Sequence, residues 1–207
     1  MGVREHWHRF YGKKMSEQVS WYQEHPTDSL DLIRATGLGK QARVLDVGGG
    51  TSKLVDCLLE IGFTRVGVLD ITGSALAEAQ RRLGASADRV EWIEADVRTF
   101  QPSHSWDLWH DRAVFHFLTD PADRAAYHAA LDRTVPEGGH VVVATFGPQG
   151  PTHCSGLEVV RYSSTDLAAE FGPTLQLIES RTERHRTPYG AEQEFVYGRF
   201  TRVPVAS

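Results

Sequence analysis

The sequence is poor in the features that would fix its class by themselves. Only two of its 207 residues are cysteines, Cys57 and Cys154. They lie too far apart to form a metal pattern and are too few for a disulfide scaffold, so no metal is expected and a reducing, cytoplasmic location is the default. No stretch approaches the roughly 18 consecutive apolar residues of a membrane span. The N-terminus, MGVREHWHRF, lacks the apolar core of a secretory signal. No membrane partner is therefore expected. Internal repeats, low-complexity tracts and linkers are absent. Charge of the positive sign is not in excess: the formal net charge is -5, which argues against a nucleic-acid partner. What remains is an ordinary apolar share of 41% on a chain long enough for one domain with a substantial core, read here as residues 1–207.

The organising stretch is Arg43 to Leu54, RVLDVGGGTSKL. Val44-Leu45-Asp46-Val47 suits one buried strand. Gly48-Gly49-Gly50 follows, then Thr51-Ser52 can cap a helix starting near Lys53, with Leu54, Val55, Leu58 and Leu59 on one face. Cys57 falls on that apolar helix and reads as core. Glycine permits the sharp turn and lets a ligand come close without a Cβ in the way. A dinucleotide fingerprint needs G-x-G-x-x-G/A, and counting from Gly48 its last position falls on Lys53. A phosphate loop, G-x-x-x-x-G-K-[ST], does not occur. The string present is D-x-G-x-G: Asp46, Gly48, Gly50.

Alternating or continuous apolar runs mark six further strands: 65–70, 90–94, 106–110, 140–146, 175–180 and 194–200. Helical patterns lie between them: one from Thr27 or Asp28 to Gly37, ALAEAQRRL at 75–83 with Ser74 placed to cap it, 122–134, and one capped by Ser164 or Thr165. Strand–helix alternation implies a parallel sheet with right-handed crossovers, and the last two strands form a hairpin around the polar loop ERHRTPYGAEQ. The second strand ends in Asp70, about 20 residues past the glycines, where a carboxylate can accept both hydroxyls of a ribose. In doubly wound sheets ligands sit beyond the carboxyl ends of the strands, which directs His110, Asp111 and Arg112 to the site. Residues 1–26 carry Trp7, Phe10, Tyr11, Trp21 and Tyr22, and read as a lid over the ligand or a cover for the core edge. Residues 147–163 form a long loop offering His153, Cys154, Arg161 and Tyr162, with Cys154 taken as an exposed thiol.

Taken in order, Asp46/Gly48/Gly50, Asp70, Ala95-Asp96-Val97, the Asp111-Arg112-Ala113 triplet, Pro136-x-Gly-Gly before a strand, and the terminal hairpin resemble the class I S-adenosylmethionine (SAM) methyltransferases. The resemblance covers residues 41–202. It implies an α/β fold: a seven-stranded, mostly parallel, doubly wound sheet with helices on both faces and a C-terminal antiparallel hairpin. It implies SAM as cofactor, held by Asp46, Gly48, Gly49 and Gly50, by Asp70 and Ile71 at the ribose, by Asp96 and Val97 at the adenine, and by His110. Trp7, Tyr11 and Trp21 join them from a lead-in similar to that of elongation-factor and citrate-synthase lysine methyltransferases. The triplet resembles the D-K-G or D-R-G of those enzymes and of thiopurine-type S-methyltransferases. His110, Asp111 and His116 are the catalytic candidates. Tyr22, Arg112 and His153 are the acceptor-binding ones, with Arg112 either holding a carboxylate or pairing with Asp111. The implied reaction is an SN2 transfer to a nucleophile, a small molecule before a protein lysine. A SAM-binding module without turnover and a nicotinamide-dependent oxidoreductase are the alternatives. Oligomeric state is not legible.

Overall fold

The central parallel strands, Arg43–Val47, Arg65–Asp70 and Leu108–Arg112, are short and largely buried, whereas Val90–Glu94 forms the half-exposed edge, and their order places the glycine turn at the centre. A computed structural model describes residues 2–11 and 19–204. Those elements are α1 (Val3–Tyr11), α2 (Thr27–Arg34), β1 (Arg43–Val47), α3 (Leu54–Glu60), β2 (Arg65–Asp70), α4 (Gly73–Leu83), β3 (Val90–Glu94), β4 (Leu108–Arg112), α5 (Pro121–Thr134), β5 (His140–Phe146), β6 (His153–Cys154), β7 (Leu157–Glu158), α6 (Ser164–Phe171), β8 (Leu175–Arg186) and β9 (Glu192–Arg202). The middle of the lid-like segment, 12–18, lies outside the described residues. No helix among the described residues is long and apolar enough to cross a membrane.

The seven-stranded sheet runs β3-β2-β1-β4-β5-β9-β8. The first five are mutually parallel, and β9 runs antiparallel to both β5 and β8. Alternation along each strand splits the core. Leu45, Val47, Trp109, Val141 and Val143 meet α5 and α6 through Tyr127, Leu131, Leu167 and Phe171. Val44, Val66, Val68 and Leu108 meet α2, α3 and α4 on the other face. The seven-stranded fold with its C-terminal hairpin is thus the one expected. The chain reverses sheet direction between β1 and β4, which makes the carboxyl ends of these strands the switch-point crevice.

Several local expectations shift. β4 begins two residues later than Trp106, because Asp107 is tied to β1: its carboxylate accepts from Arg43 N at 2.7 Å and its N–H donates to Arg43 O. Helix α4 starts at Gly73 with Thr72 at the cap, so Ser74 is not the cap. Helix α2 begins at Thr27 behind Pro26 with no side-chain cap. Ser163, not Ser164 or Thr165, caps α6 and shares a reciprocal capping box with Asp166. The 147–163 loop contains the β6–β7 hairpin, whose turn residues Ser155 and Gly156 have φ of +52° and +80°, the pattern of a tight hairpin turn. That hairpin buries Cys154 among Leu32, Phe146 and Phe195, so the thiol is core and not exposed. The last two strands extend through Arg184, His185 and Arg186, which the sequence reading assigned to a loop. Polar residues stand opposite one another in that extension, as Arg184 does to Glu194 and Arg186 to Glu192, so strand character there is not marked by apolar alternation.

Candidate active site

The cleft grows out of the glycine turn. Gly48 N donates to Leu69 O at 2.6 Å, which ties the turn to the end of β2. Gly48 has φ +66° and an added Cβ would stand 2.0 Å from Val114 Cγ2. Gly50 has φ +40°, and a Cβ there would stand 2.8 Å from Asp70 Oδ2 and 3.3 Å from the Tyr11 hydroxyl. Both positions require glycine on two counts. Beyond the turn, Ser52 Oγ accepts from Leu54 N at 3.1 Å, so it serves α3 although Lys53 is the cap residue. A cleft of about 360 Å³ opens over the ends of β1, β2 and β4. Trp7, Tyr11, Trp21 and Tyr22 line it from the N-terminal segment. The Trp7 ring packs on Tyr11 and Trp21 and meets Phe117 at 5.1 Å between centroids. Gly48, Gly49, Ile71 and Val97 also line it.

Strand periodicity sorts the β4 candidates. His110 and Arg112 point to one face and Asp111 to the other. His110 sits in register with Asp46 on β1. Its Nδ1 is 2.7 Å from Asp46 Oδ1 and its Nε2 2.9 Å from Ser29 Oγ on α2. Both ring nitrogens are therefore engaged within the protein. Asp46 Oδ2 is buried without a partner. Arg112 does not pair with Asp111. Its Nε donates to the Tyr197 hydroxyl at 2.8 Å, its Nη1 to Trp21 O at 2.9 Å, and its guanidinium lies 4.2 Å over the Phe195 ring.

Asp111 is fully buried beneath the site and does not line the cleft. Its carboxylate accepts from Tyr127 Oη at 2.7 Å, Val114 N at 2.9 Å and Phe115 N at 3.1 Å. Burial lifts its pKa to about 6 against the pull of those bonds. It thus braces the turn into the 115–117 helical turn. Ala113, third residue of the triplet, has φ +71°, the left-handed conformation that explains why a glycine would suit that position. His116 is likewise fully buried and outside the cleft lining. Its Nδ1 accepts from Phe146 N at 3.2 Å, and burial followed by the Arg112 charge lowers its pKa to about 3. Neither Asp111 nor His116 is brought to the cleft. His153 is exposed and also outside it, whereas Leu157 and Glu158 of the same hairpin line it.

The ribose and adenine candidates are in place. Asp70 ends β2 and lines the cleft. Its Oδ1 accepts from the N–H and hydroxyl of Thr72, both at 2.9 Å, while Oδ2 faces Gly50. Burial raises its pKa to about 6 despite the Thr72 bonds. Tyr11 beside it is pushed well above the usual phenol range by burial and then by the Asp70 charge. Asp96 holds Arg98 in a fork, with Nε to Oδ1 at 3.0 Å, and Arg98 reaches on to Asp123 at 2.9 Å. The Arg98 hydrogen bond, ahead of burial, lowers the Asp96 pKa. Sequence reasoning did not find Ser29 or Arg98 and took Lys53 only as an obstacle, yet all three line the cleft. Arg98 had a signal, two residues after the acid of a strand end. Ser29 had none, since its partner is 81 residues away.

Asp46 and Asp70 face the glycine turn with carboxylate oxygens, whereas Asp96 is paired with Arg98; carboxylates at the turn make a poor seat for a pyrophosphate. The orphaned Asp46 Oδ2, and Asp70 Oδ2 facing the turn, are carboxylate oxygens with the capacity to accept from a donor.

Comparison with known proteins agrees. Residues 44–139 match the family profile described as a methyltransferase domain. The malonyl-[acyl-carrier protein] O-methyltransferase 1 of Ilyobacter polytropus is 28% identical over 137 residues, 66% of this chain and 49% of that protein. The trans-aconitate 2-methyltransferase of Rhizobium leguminosarum bv. trifolii is 27% identical over 172 residues, 83% of this chain and 61% of that protein. The chain therefore spans about half to three-fifths of the length of these curated relatives. The crystal structure of the N-methyltransferase NodS from Bradyrhizobium japonicum, solved with S-adenosyl-L-homocysteine (SAH), superposes with a TM-score of 0.72 at 18% identity, over 94% of this chain and 97% of that one. The sheet order and hairpin are thus the fold of the class I SAM-dependent methyltransferases, and residues 44–139 carry the profile of a methyltransferase domain.

Proposed function

We propose that the whole chain is one SAM-dependent methyltransferase domain acting on a small-molecule acceptor. The observation that carries this is the enclosed cleft itself: a glycine turn ringed by Asp46, Asp70 and Asp96 beneath an aromatic roof. In this reading Asp46 Oδ2 takes the cofactor's ammonium, Asp70 its ribose hydroxyls, Asp96 and Val97 its adenine, and Gly48 to Gly50 let its methionine portion approach the backbone. Trp7, Tyr11 and Trp21 exclude water from above. When bound, SAM supplies a sulfonium methyl as electrophile. The protein's share is alignment. Ser29, His110 and Asp46 form a fixed chain of hydrogen bonds at the floor of the cleft, and such rigidity holds the reactants at attack distance. His110 acts there as a positioning group, its two ring nitrogens engaged by Asp46 and Ser29.

A small acceptor is favoured because the roof covers the site and the cleft is only about 360 Å³, at the lower end of the roughly 300–1,000 Å³ of small-molecule sites. A protein lysine would require the roof to open. Both curated relatives described above are named for carboxyl-bearing acceptors of low mass or on a carrier. Incubation with methyl-labelled SAM and, separately, the low-mass and protein fractions of a cell extract tests the reading. Label in the low-mass fraction is the expected result. Label confined to protein moves the acceptor to a lysine, and SAM binding without any transfer makes the chain a binding module.

A further inference from the structure

We infer that the acceptor is a carboxylate, seated by Arg112 and methylated on oxygen. This rests on the methyltransferase reading above and deepens it. Consider first what the cleft lacks. Among the described residues, His110 is the one imidazole in the lining, and its nitrogens are bonded to Asp46 and Ser29. Asp96 is closed on Arg98. Asp70 belongs to the ribose. An ammonium acceptor has to lose a proton before it attacks; of the other carboxylates in the lining, Asp123 is bonded to Arg98 and Glu158 is exposed to solvent, so neither is a buried base. A carboxyl group needs no base: with an ordinary pKa near 4 it is ionised at neutral pH.

Consider next what the cleft offers. The Arg112 side chain lines the cleft and is only 9% exposed. Its two hydrogen bonds go to neutral oxygens, the Tyr197 hydroxyl and Trp21 O. Its Nη2 has no hydrogen bond, and the nearest carboxylate, Glu183 Oε2, stands 3.6 Å off. Glu183 is itself engaged by Gln23 Nε2 at 2.6 Å and Tyr197 Oη at 2.8 Å. A buried guanidinium with an unmade donor suits an anion, which it can meet with a charge-assisted hydrogen bond. The same charge repels an ammonium. Arg112 lies two residues along β4 from His110, on the same face and next to the glycine turn's neighbour strand. In the reaction the acceptor oxygen supplies the electron pair of the new C–O bond. The C–S pair stays with the departing sulfur, and no proton moves. A carboxylate and a sulfonium become two neutral groups, a methyl ester and a thioether.

Arg112 has one competing ligand, the cofactor's own carboxylate, so the test separates the two. Calorimetry with SAH is run first on wild type, Arg112→Met and Arg112→Lys. Each SAH complex is then titrated with trans-aconitate, malonate and octanoate and with their amides. At least one carboxylate is expected to bind wild type while its amide does not. Arg112→Met weakens that binding 10- to 100-fold, Arg112→Lys recovers part of it, and SAH affinity stays within about twofold. Glu183→Gln, which removes the competing charge, tightens carboxylate binding and decides the matter if Arg112→Met fails to fold. Label transferred from methyl-labelled SAM is expected to be released as methanol by alkali, as an ester requires, and kcat/KM is expected to be flat from about pH 7 to 9. The inference is overturned if amides bind as well as acids, if no acid in the set binds, if Arg112→Met loses SAH, if Glu183→Gln leaves carboxylate binding unchanged or weaker, if the label is stable to alkali, or if kcat/KM climbs with pH as an amine acceptor demands. Failure of wild type to bind SAH overturns the methyltransferase reading instead.

Discussion

Lowering the pH from 8 to 5 is expected to weaken SAH binding through one residue, Asp70. Burial sets its pKa at about 6, opposed by the Thr72 N–H and hydroxyl and reinforced by the nearby Asp46 charge. In the proposed binding mode the ionised carboxylate accepts both ribose hydroxyls, so protons and ligand compete. Affinity is full above about pH 7 and falls as pH drops through 6. At pH 5 roughly one molecule in ten is ionised, which weakens Kd about tenfold, or ~1.4 kcal/mol. The stability of the free protein moves the other way. A carboxyl whose folded pKa is raised from 3.8 holds more protons folded than unfolded between about pH 4 and 6, so this group favours folding as pH falls through that window. Asp70→Asn should bind SAH more weakly at pH 8 by about 1.5–3 kcal/mol, the scale of a charged hydrogen bond, and should lose the slope. Calorimetry at pH 5, 6, 7 and 8 on both proteins is the assay. A wild-type profile that is flat, or an Asn variant that keeps the wild-type slope, refutes the assignment of Asp70.

Gly48→Ala puts a Cβ 2.0 Å from Val114 Cγ2 at φ +66°. Chemical denaturation should show a loss of at least about 2 kcal/mol, and SAH binding should vanish. Tyr127→Phe removes the donor to Asp111 and the acceptor of Trp109 Nε1, a bond of 2.8 Å. It should cost about 2–3 kcal/mol of stability by the same assay, while SAH affinity in the folded protein is unchanged because Asp111 lies outside the cleft. His116, with a folded pKa of about 3 against an ordinary 6.5, stays neutral when folded but charges when unfolded. Its contribution is present above about pH 6.5 and is lost as pH falls toward 3. Between pH 7 and 5 that loss is about 2 kcal/mol, so the stability gap between wild type and His116→Gln should narrow by that amount. A constant gap refutes a neutral buried imidazole.

The parts of the fold that read clearly from sequence are those written locally. The strand–glycine–helix passage at 43–60, the acid ending β2, and the apolar run of β5 each carry their own period, breaker or cap. The order of these units then fixes a parallel sheet, because crossovers have one hand. The cleft was legible to the same depth: Asp46, Asp70, Asp96, His110 and Arg112 all line it. Asp111 and His116 misled because neighbours in sequence on a strand and the turn after it face opposite ways, and one residue separates the cleft from the core. Ser29 was silent because a buried serine on a helix has meaning only through the imidazole it meets. Cys154 was misjudged because a two-residue hairpin turn, set by Ser155 and Gly156, folds an apparently irregular loop back onto Phe146 and Phe195. The length of β8 and β9 was missed because their extensions set polar residues opposite one another, Arg184, His185 and Arg186 against Glu194, Gln193 and Glu192, which a hydrophobic period does not register.

The most direct test of the account is calorimetric titration of the wild-type protein with SAM, SAH and NAD. The carboxylate-ringed glycine turn predicts one site that binds SAM and SAH and leaves NAD unbound. NAD binding in their place, or no binding of either sulfur ligand, would contradict it.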